Sequence, residues 1–113
     1  MRDQINDPVR LSLIHEAIVN IKEYTSTVNS YEGFALNKLL CHAVTYNLQC
    51  IGECVYKLSR EFKTAHPDMD WDAIEGMRHV LVHDYYRVDV KTIWAIVKND
   101  IPALEGYLNR NSL

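Results

Sequence analysis

The chain has 113 residues, of which 48% are hydrophobic and 24% are charged. This length fits one domain, and the composition is that of a folded globular chain, which excludes a disordered one. The formal net charge of −3 at pH 7 argues against a protein that recruits nucleic acid through an overall positive field. We therefore expect a single domain over residues 1–113.

Apolar runs and cysteine usage predict the cellular compartment. The longest purely apolar run, Ile93–Val97, has five residues and is far too short to span a membrane. The N-terminal residues lack the apolar segment of a secretory signal. Three cysteines, an odd number, are typical of reduced thiols in a cytosolic protein. We expect a cytoplasmic protein without a membrane partner.

Helical spacing of apolar residues dominates the first half of the chain. The first helix is predicted to begin at Asp7-Pro8, with Asp7 as the N-cap residue and the proline in the first turn. The polar residues from Thr25 to Gly33 predict a loop. Phe34 to about Thr64 is interpreted as one long helix with a wide apolar band. Gly52 inside this band predicts a close approach by another helix.

The second half of the chain is predicted to form two more helices. His66-Pro67-Asp68 ends the long helix, because proline disfavours helical geometry at the residue before it. Asp70 is the expected cap of a third helix from Trp71 to about His83. An irregular segment over residues 84–88 leads to Asp89, the expected cap of the fourth helix.

The fourth helix contains Pro102, which predicts a kink or a local break. Helices joined by short loops are typical of antiparallel bundles. The predicted fold class is therefore all-α, an antiparallel bundle of four helices, or five at most.

The densest group of chemically active side chains begins at Arg78. An arginine can hold a phosphate through two parallel N–H groups, and His83 can move protons near neutral pH. The two residues together suit cleavage of a phosphodiester. A solvated arginine and a helix-end histidine bonded to a terminal carbonyl are the ordinary alternative. His79 and His83 have the spacing of two metal ligands, but no third ligand is recognisable, and we predict no metal.

The cysteines are interpreted as packing residues. Cys50 and Cys54 lie four residues apart inside the apolar band, where buried thiols behave as small hydrophobes. Cys41 has no obvious partner. A nucleophilic pair of cysteine and histidine has no local signature here.

The segment WDAIEGMRHVLVHDY, from Trp71 to Tyr85, closely resembles the signature of the HepT-like branch of the HEPN superfamily. The core of that signature is R-x-x-x-x-H-x-Y, which is filled here by Arg78, His83 and Tyr85. The resemblance covers most of the chain, and it extends to flanking residues: Ile51-Gly52-Glu53, Pro67, Val88-Asp89, Trp94 and Ile101-Pro102-Ala103-Leu104.

The resemblance implies a HEPN-like bundle that forms a homodimer, and a metal-independent ribonuclease that needs no cofactor. Arg78 would clamp the phosphate and His83 would act as general acid or base. His79 is a lesser candidate for RNA contact, and Glu53 would orient or balance Arg78.

The resemblance also implies a role as the toxin of a toxin–antitoxin pair. The expected partner is a minimal nucleotidyltransferase that adenylylates Tyr85, with Tyr86 as a rival acceptor. Two other classes stay open. One is a non-catalytic subunit that binds nucleotide or substrate for a nucleotidyltransferase, and the other is a plain helical scaffold. RNA cleavage by the wild type and by His83→Ala distinguishes the ribonuclease from the first of these.

Overall fold

A computed structural model of the chain describes residues 6–78 and 89–113. These two ranges are predominantly helical and contain no β-strand, which confirms the predicted all-α class. Within the same ranges, no helix combines the length and the apolar character needed to cross a membrane.

Helix α1 spans Asp7–Thr25, and its N-cap residue is Asn6, whose side-chain oxygen accepts a hydrogen bond from the amide of Val9 at 3.2 Å. The prediction of Asp7 as the cap is wrong by one residue. The carboxylate of Asp7 instead accepts hydrogen bonds from the backbone N–H of Ser59, at 2.9 Å, and from the Ser59 hydroxyl. This contact ties the start of α1 to a distant part of the chain.

The single long helix predicted from Phe34 to Thr64 is wrong, because three helices occupy this part of the chain. They are α2 (Tyr31–Ala35), α3 (Lys38–Tyr56) and α4 (Arg60–Ala65). Each begins after a polar residue whose side chain caps it, namely Ser30, Asn37 and Ser59. Such side chains satisfy the free N–H groups of a first helical turn and therefore favour a new start over continuation. The predicted loop before Gly33 accordingly ends at Ser30.

Helix α5 spans Trp71–Glu75, and Asp70 caps it as predicted, by accepting from the amide of Ala73 at 3.1 Å. The helix expected to continue to His83 stops at Gly76, and residues 77–78 are helical again. Its predicted remainder, with the irregular segment over 84–88, lies outside the described residues.

Helix α6 spans Val90–Ala95, with Asp89 as its N-cap residue as predicted. A π-helical turn over Ile96–Asp100 joins it to α7, Ile101–Arg110. The local break predicted from Pro102 is thus confirmed. Proline has no N–H and its ring clashes with the carbonyl four residues earlier, and a π-helical turn relieves both problems by adding one residue.

Hydrogen bonds show how α1 runs relative to α3. Asp7 bonds to Ser59, just beyond α3, whereas Asn20 donates to Asn47 in the middle of α3 at 3.2 Å. Positions that rise along α1 fall along α3, so the two helices are antiparallel.

Helix α7 also lies antiparallel to α1. His15 Nε2 lies 2.8 Å from the backbone oxygen of Leu113, and Lys22 Nζ lies 3.1 Å from Glu105 Oε1. The core fills the space among these helices, and each large aliphatic side chain buried there stabilises the fold by roughly 1.5–3 kcal/mol. Among the described residues, the largest fully buried side chains are Ile14, Ile18, Ile21, Phe34, Val44, Leu48, Ile51, Val55, Ile101, Leu104 and Leu108.

Candidate functional site

A glycine in the second half of α3 brings Arg78 against that helix. A Cβ atom added at Gly52 would lie 2.9 Å from the amide nitrogen of Arg78 and 3.1 Å from its Cβ. Both distances are shorter than the roughly 3.5–4.0 Å of ordinary non-bonded contact. The close approach predicted from Gly52 is therefore confirmed, and the residue that makes it is Arg78.

The side chain of Arg78 lies along α3 and contacts two of its residues. Its Nη1 atom is 3.6 Å from Oε1 of Glu53, and its guanidinium carbon is 3.7 Å from the ring centroid of Tyr56. Glu53 and Tyr56 are three residues apart, so they share one face of the helix. An ion pair and a cation–π contact thus hold the guanidinium, which belongs to a side chain that remains 22% exposed.

Glu53 is shared between two cations. Its other oxygen, Oε2, lies 3.6 Å from Nζ of Lys57, the residue that follows the last residue of α3. Partly exposed ion pairs of this kind contribute about 0–1 kcal/mol. A second anion could therefore replace Glu53 at Arg78 at little cost, while Glu53 stays paired with Lys57.

The Nε atom of Arg78 is buried and has no hydrogen-bond partner among the described residues. Leaving a buried donor unpaired costs about 1–3 kcal/mol. The close packing at Gly52 and the stack on Tyr56 hold the side chain in place despite this cost. Such unsatisfied groups are a reason to look for a function at that position.

Two of the site residues named from the sequence, Arg78 and Glu53, lie within ion-pair distance of each other. His79, His83 and Tyr85 lie outside the described residues. Within residues 6–78 and 89–113, no group of three or more His, Cys, Asp or Glu could hold a metal ion.

Tyr56 and Lys57 were not among the site residues predicted from the sequence. Their spacing could have identified them, because residues three and four positions after Glu53 lie on the same face of a helix as Glu53.

The cysteines form no disulfide, and Cys41 and Cys54 are buried. Burial raises the pKa of both thiols, which disfavours the reactive thiolate. The packing interpretation therefore fits these two residues, whereas Cys50 is only partly buried.

Comparison with known proteins identifies the family. A protein of Thermococcus cleftensis named "Probable ribonuclease HepT" is 40% identical over 93 residues, which is 82% of this chain and 84% of that protein. A protein of Methanocaldococcus jannaschii named as a "Putative RNase" is 32% identical over 92 residues, 81% of this chain and 84% of its own length. A third, from Caldanaerobacter subterraneus subsp. tengcongensis and likewise named "Putative RNase", is 38% identical over 76 residues, 67% of this chain and 68% of its own.

No solved structure matches the chain. The family model described as "Ribonuclease HepT-like" matches residues 14–110, which span both Glu53 and Arg78 and nearly all of the helices described above. The resemblance seen in the sequence is thereby confirmed, and this chain belongs to the ribonuclease HepT-like family of enzymes.

Proposed function

We propose that this chain cleaves RNA without a metal ion or cofactor, with Arg78 as the phosphate clamp and His83 as general acid or base. The observation that carries the proposal is the fixed guanidinium of Arg78, held against α3 by Glu53 and Tyr56. A guanidinium binds a phosphate through parallel N–H groups. Donors oriented before substrate arrives are the kind of group that stabilises transition-state charge most effectively.

The proposed reaction uses the nucleophile that RNA itself carries, the 2′-hydroxyl. Its oxygen attacks the adjacent phosphorus, a general base takes its proton, and the bond from phosphorus to the 5′-oxygen breaks. A general acid protonates the departing 5′-oxygen. The products are a 2′,3′-cyclic phosphate and a 5′-hydroxyl. His83 serves one of the two proton transfers, and Arg78 neutralises the non-bridging oxygens.

Glu53 then acts as the resting partner of Arg78. When the phosphate of RNA takes its place, the carboxylate keeps its ion pair with Lys57. His79, next to Arg78 in the chain, is a lesser candidate for contact with RNA.

An RNA-cleavage assay in excess EDTA tests this proposal with the wild type, His83→Ala and Arg78→Ala. Loss of general acid–base catalysis lowers the rate by about 10²–10⁴-fold, which we expect for His83→Ala. Loss of a donor that stabilises transition-state charge costs about 10²–10³-fold, which we expect for Arg78→Ala, and circular dichroism should stay unchanged in both variants. Arg78→Lys keeps the charge but lacks the planar fork, so it should restore little activity. Loss of wild-type cleavage on chelation would favour the metal interpretation of His79 and His83. RNA binding without cleavage would favour the non-catalytic subunit.

We also propose that the chain forms a homodimer through α3 and the turn before it. Three large apolar side chains are exposed there, Leu36 by 86%, Leu39 by 81% and Tyr46 by 65%. Leu39 and Tyr46 are seven residues apart and share one face of the helix. The occupant we propose is a second copy, because a two-fold contact duplicates Arg78 and His83 and so supplies both an acid and a base.

Light scattering tests the dimer at the concentration of the cleavage assay. Leu39→Glu should yield a monomer with much reduced cleavage. A wild type that is monomeric and fully active would contradict the proposal.

The third part of the proposal is a toxin–antitoxin pair that acts in the cytoplasm, with a minimal nucleotidyltransferase as antitoxin. Adenylylation of Tyr85 would add bulk and negative charge where an RNA phosphate approaches. Co-expression followed by intact-mass analysis and peptide mapping should find the nucleotidyl group on Tyr85, with Tyr86→Phe as the control. If Tyr85→Phe is silenced as well as the wild type, the partner inhibits by binding alone.

A further inference from the structure

Tyr56, the last residue of α3, carries an aromatic ring that is only partly used by the fold. The guanidinium of Arg78 covers one face, at 3.7 Å from the centroid, yet the residue remains 48% exposed. Two other aromatic residues near α5, Trp71 and Tyr107, are almost completely buried. Tyr56 thus combines a fixed cation on one face of its ring with a residue that is about half exposed.

The charges around Tyr56 favour a negatively charged ligand, although the chain as a whole is acidic. Nζ of Lys63 lies 3.4 Å from the backbone oxygen of Tyr56, to which it donates, and 3.4 Å from Oε2 of Glu75. Among the described residues, the ion pairs at Tyr56 and its neighbours involve three cations and two carboxylates: Arg78, Lys57, Lys63, Glu53 and Glu75. The excess is positive in a chain whose net charge is −3.

An exposed aromatic ring beside a phosphate-binding arginine is the combination by which proteins bind unpaired nucleotides. Bases of single-stranded RNA stack on aromatic side chains while cations follow the backbone. Every base has a π-face, so the contact requires no particular sequence. Bases inside a duplex are stacked on one another and cannot reach such a ring.

We propose that Tyr56 is the stacking platform for an unpaired base next to the phosphate held by Arg78. The base lies on the part of the ring that Arg78 leaves open. This inference rests on the proposed role of Arg78 and adds a base-binding subsite to it. Only the aromatic ring is required, because within the described residues the ring, and not the hydroxyl, makes the contact with Arg78.

Binding measurements in the His83→Ala background test the inference without turnover of the RNA. The probes are a single-stranded RNA of about 12 nucleotides containing 2-aminopurine, and the duplex of the same sequence. The variants are Tyr56→Phe, Tyr56→Leu and a matched control, Tyr31→Leu, which removes another partly buried tyrosine that contacts Trp94. Stacking on one aromatic side chain corresponds to roughly 5- to 150-fold in affinity.

We expect Tyr56→Phe and the control to bind the single strand as the parent does and to quench 2-aminopurine fluorescence. Tyr56→Leu should bind it roughly 5- to 150-fold more weakly and lose the quenching, while its affinity for the duplex changes little. A purely structural role for Tyr56 would lower both affinities together. If Tyr56→Leu does not fold, Tyr56→Trp replaces it. The single strand, and not the duplex, should then quench more tryptophan fluorescence than it does in the parent, which contains Trp71 and Trp94.

Cleavage by the protein with an intact His83 separates this inference from the proposed function. If that protein cleaves RNA but Tyr56→Leu binds single strands as tightly as Tyr56→Phe does, the stacking platform is wrong and the ribonuclease stands. A change in dimerisation of Tyr56→Leu with unchanged RNA affinity would also overturn the inference and assign the ring to a protein interface. Absence of both binding and cleavage would refute the two proposals together.

Discussion

Two tyrosines contact the charged residues that precede and follow α5 in the sequence, Asp68 and Arg78. One of these tyrosines is buried and the other is about half exposed. Tyr107 on α7 is 4% exposed and donates its hydroxyl to Oδ1 of Asp68 at 2.6 Å. Tyr56 on α3 is 48% exposed and presents its ring, rather than its hydroxyl, to Arg78. The first contact is a short hydrogen bond, and the second is a stack on an aromatic face.

The contact of Tyr107 with Asp68 builds the fold, whereas the contact of Tyr56 with Arg78 belongs to the proposed ligand site. The hydroxyl of Tyr107 is satisfied, and its ring packs edge-on against Trp71 at 5.9 Å between centroids. Arg78 sits 3.6 Å from Glu53, beyond normal hydrogen-bond length, and its Nε has no partner among the described residues. The guanidinium is therefore fixed in position without a hydrogen bond of normal length to Glu53.

Among the substitutions that test this comparison of the two tyrosines, Gly52→Ala should have the largest effect, because it disturbs the packing of Arg78. The new methyl group meets backbone atoms of Arg78, the nearest at 2.9 Å, so the arginine must move. Displacement of a catalytic group by about 1 Å can cost 10²-fold, and we expect a fall of about that size in kcat/KM for RNA. Overpacking costs about 1–3 kcal/mol and the better helix propensity of alanine returns about 1 kcal/mol, so the fold should survive.

Gly106→Ala is the matched control for this substitution. A Cβ at Gly106 would meet only the end of the Arg110 side chain, at 3.2 Å. That side chain can move aside, so stability should rise by up to about 1 kcal/mol with unchanged cleavage. Full activity of Gly52→Ala would show that the close approach does not position Arg78 for catalysis.

In contrast to Gly52→Ala, Tyr107→Phe should lower stability and leave RNA cleavage unchanged. The hydrogen bond from Tyr107 lowers the pKa of Asp68, while burial and this hydrogen bond raise the pKa of Tyr107 to about 12. The stabilisation that comes from ionised Asp68 is present above the ordinary carboxyl pKa of about 3.9 and is lost as the pH falls through the lowered pKa. The stabilisation that comes from protonated Tyr107 is present below about pH 10 and is lost as the pH rises towards 12.

Thermal unfolding at several pH values checks this prediction. Tyr107→Phe should melt several degrees below the wild type at neutral pH, and the difference should shrink at both extremes. Tyr56→Phe is the control, because the hydroxyl of Tyr56 takes no part in its contact with Arg78, and it should melt like the wild type. Equal melting temperatures for all three proteins at pH 7 would mean that the Asp68 contact adds nothing to stability.

The smallest effect is expected from Glu53→Gln. A partly exposed ion pair contributes about 0–1 kcal/mol, so the melting temperature should hardly change. Because the resting partner of Arg78 loses its charge, KM for RNA should fall by about fivefold or less. Glu105→Gln, which breaks an ion pair with Lys22 at 3.1 Å that takes no part in the proposed RNA site, serves as the control. A fall in kcat instead would show that Glu53 orients Arg78 rather than balancing its charge.

Several features of the fold could be read from the sequence because they depend on neighbours within one helical turn. Asp70 and Asp89 cap helices whose amides lie two or three residues ahead. Pro102 disrupts the backbone hydrogen bonding of the preceding helical turn, and the π-helical turn lies at that position. Gly52 marked a close approach because glycine is otherwise unfavourable inside a helix. The motif around Arg78 likewise identified the family.

Apolar periodicity was a poorer guide to the middle of the chain. The apolar spacing from Phe34 onward continues across the caps at Asn37 and Ser59, so it does not show where one helix ends and the next begins. Leu36 and Leu39 extend that spacing although they are among the most exposed side chains. Whether an apolar residue is buried depends on which other elements cover it, and spacing carries no information about that.

The sequence by itself determined the all-α class, the caps at Asp70 and Asp89, the break before Pro102 and the family of this protein. Only the tertiary structure decided that Asp7 bonds to Ser59, 52 residues away, and that Arg78 takes the space left by Gly52 and stacks on Tyr56. Capping and proline effects involve residues that are close in the sequence, so a short stretch of sequence is enough to predict them. Contacts between distant residues arise from the packing of whole helices, in which small shifts of one element change the partners of every side chain on its face.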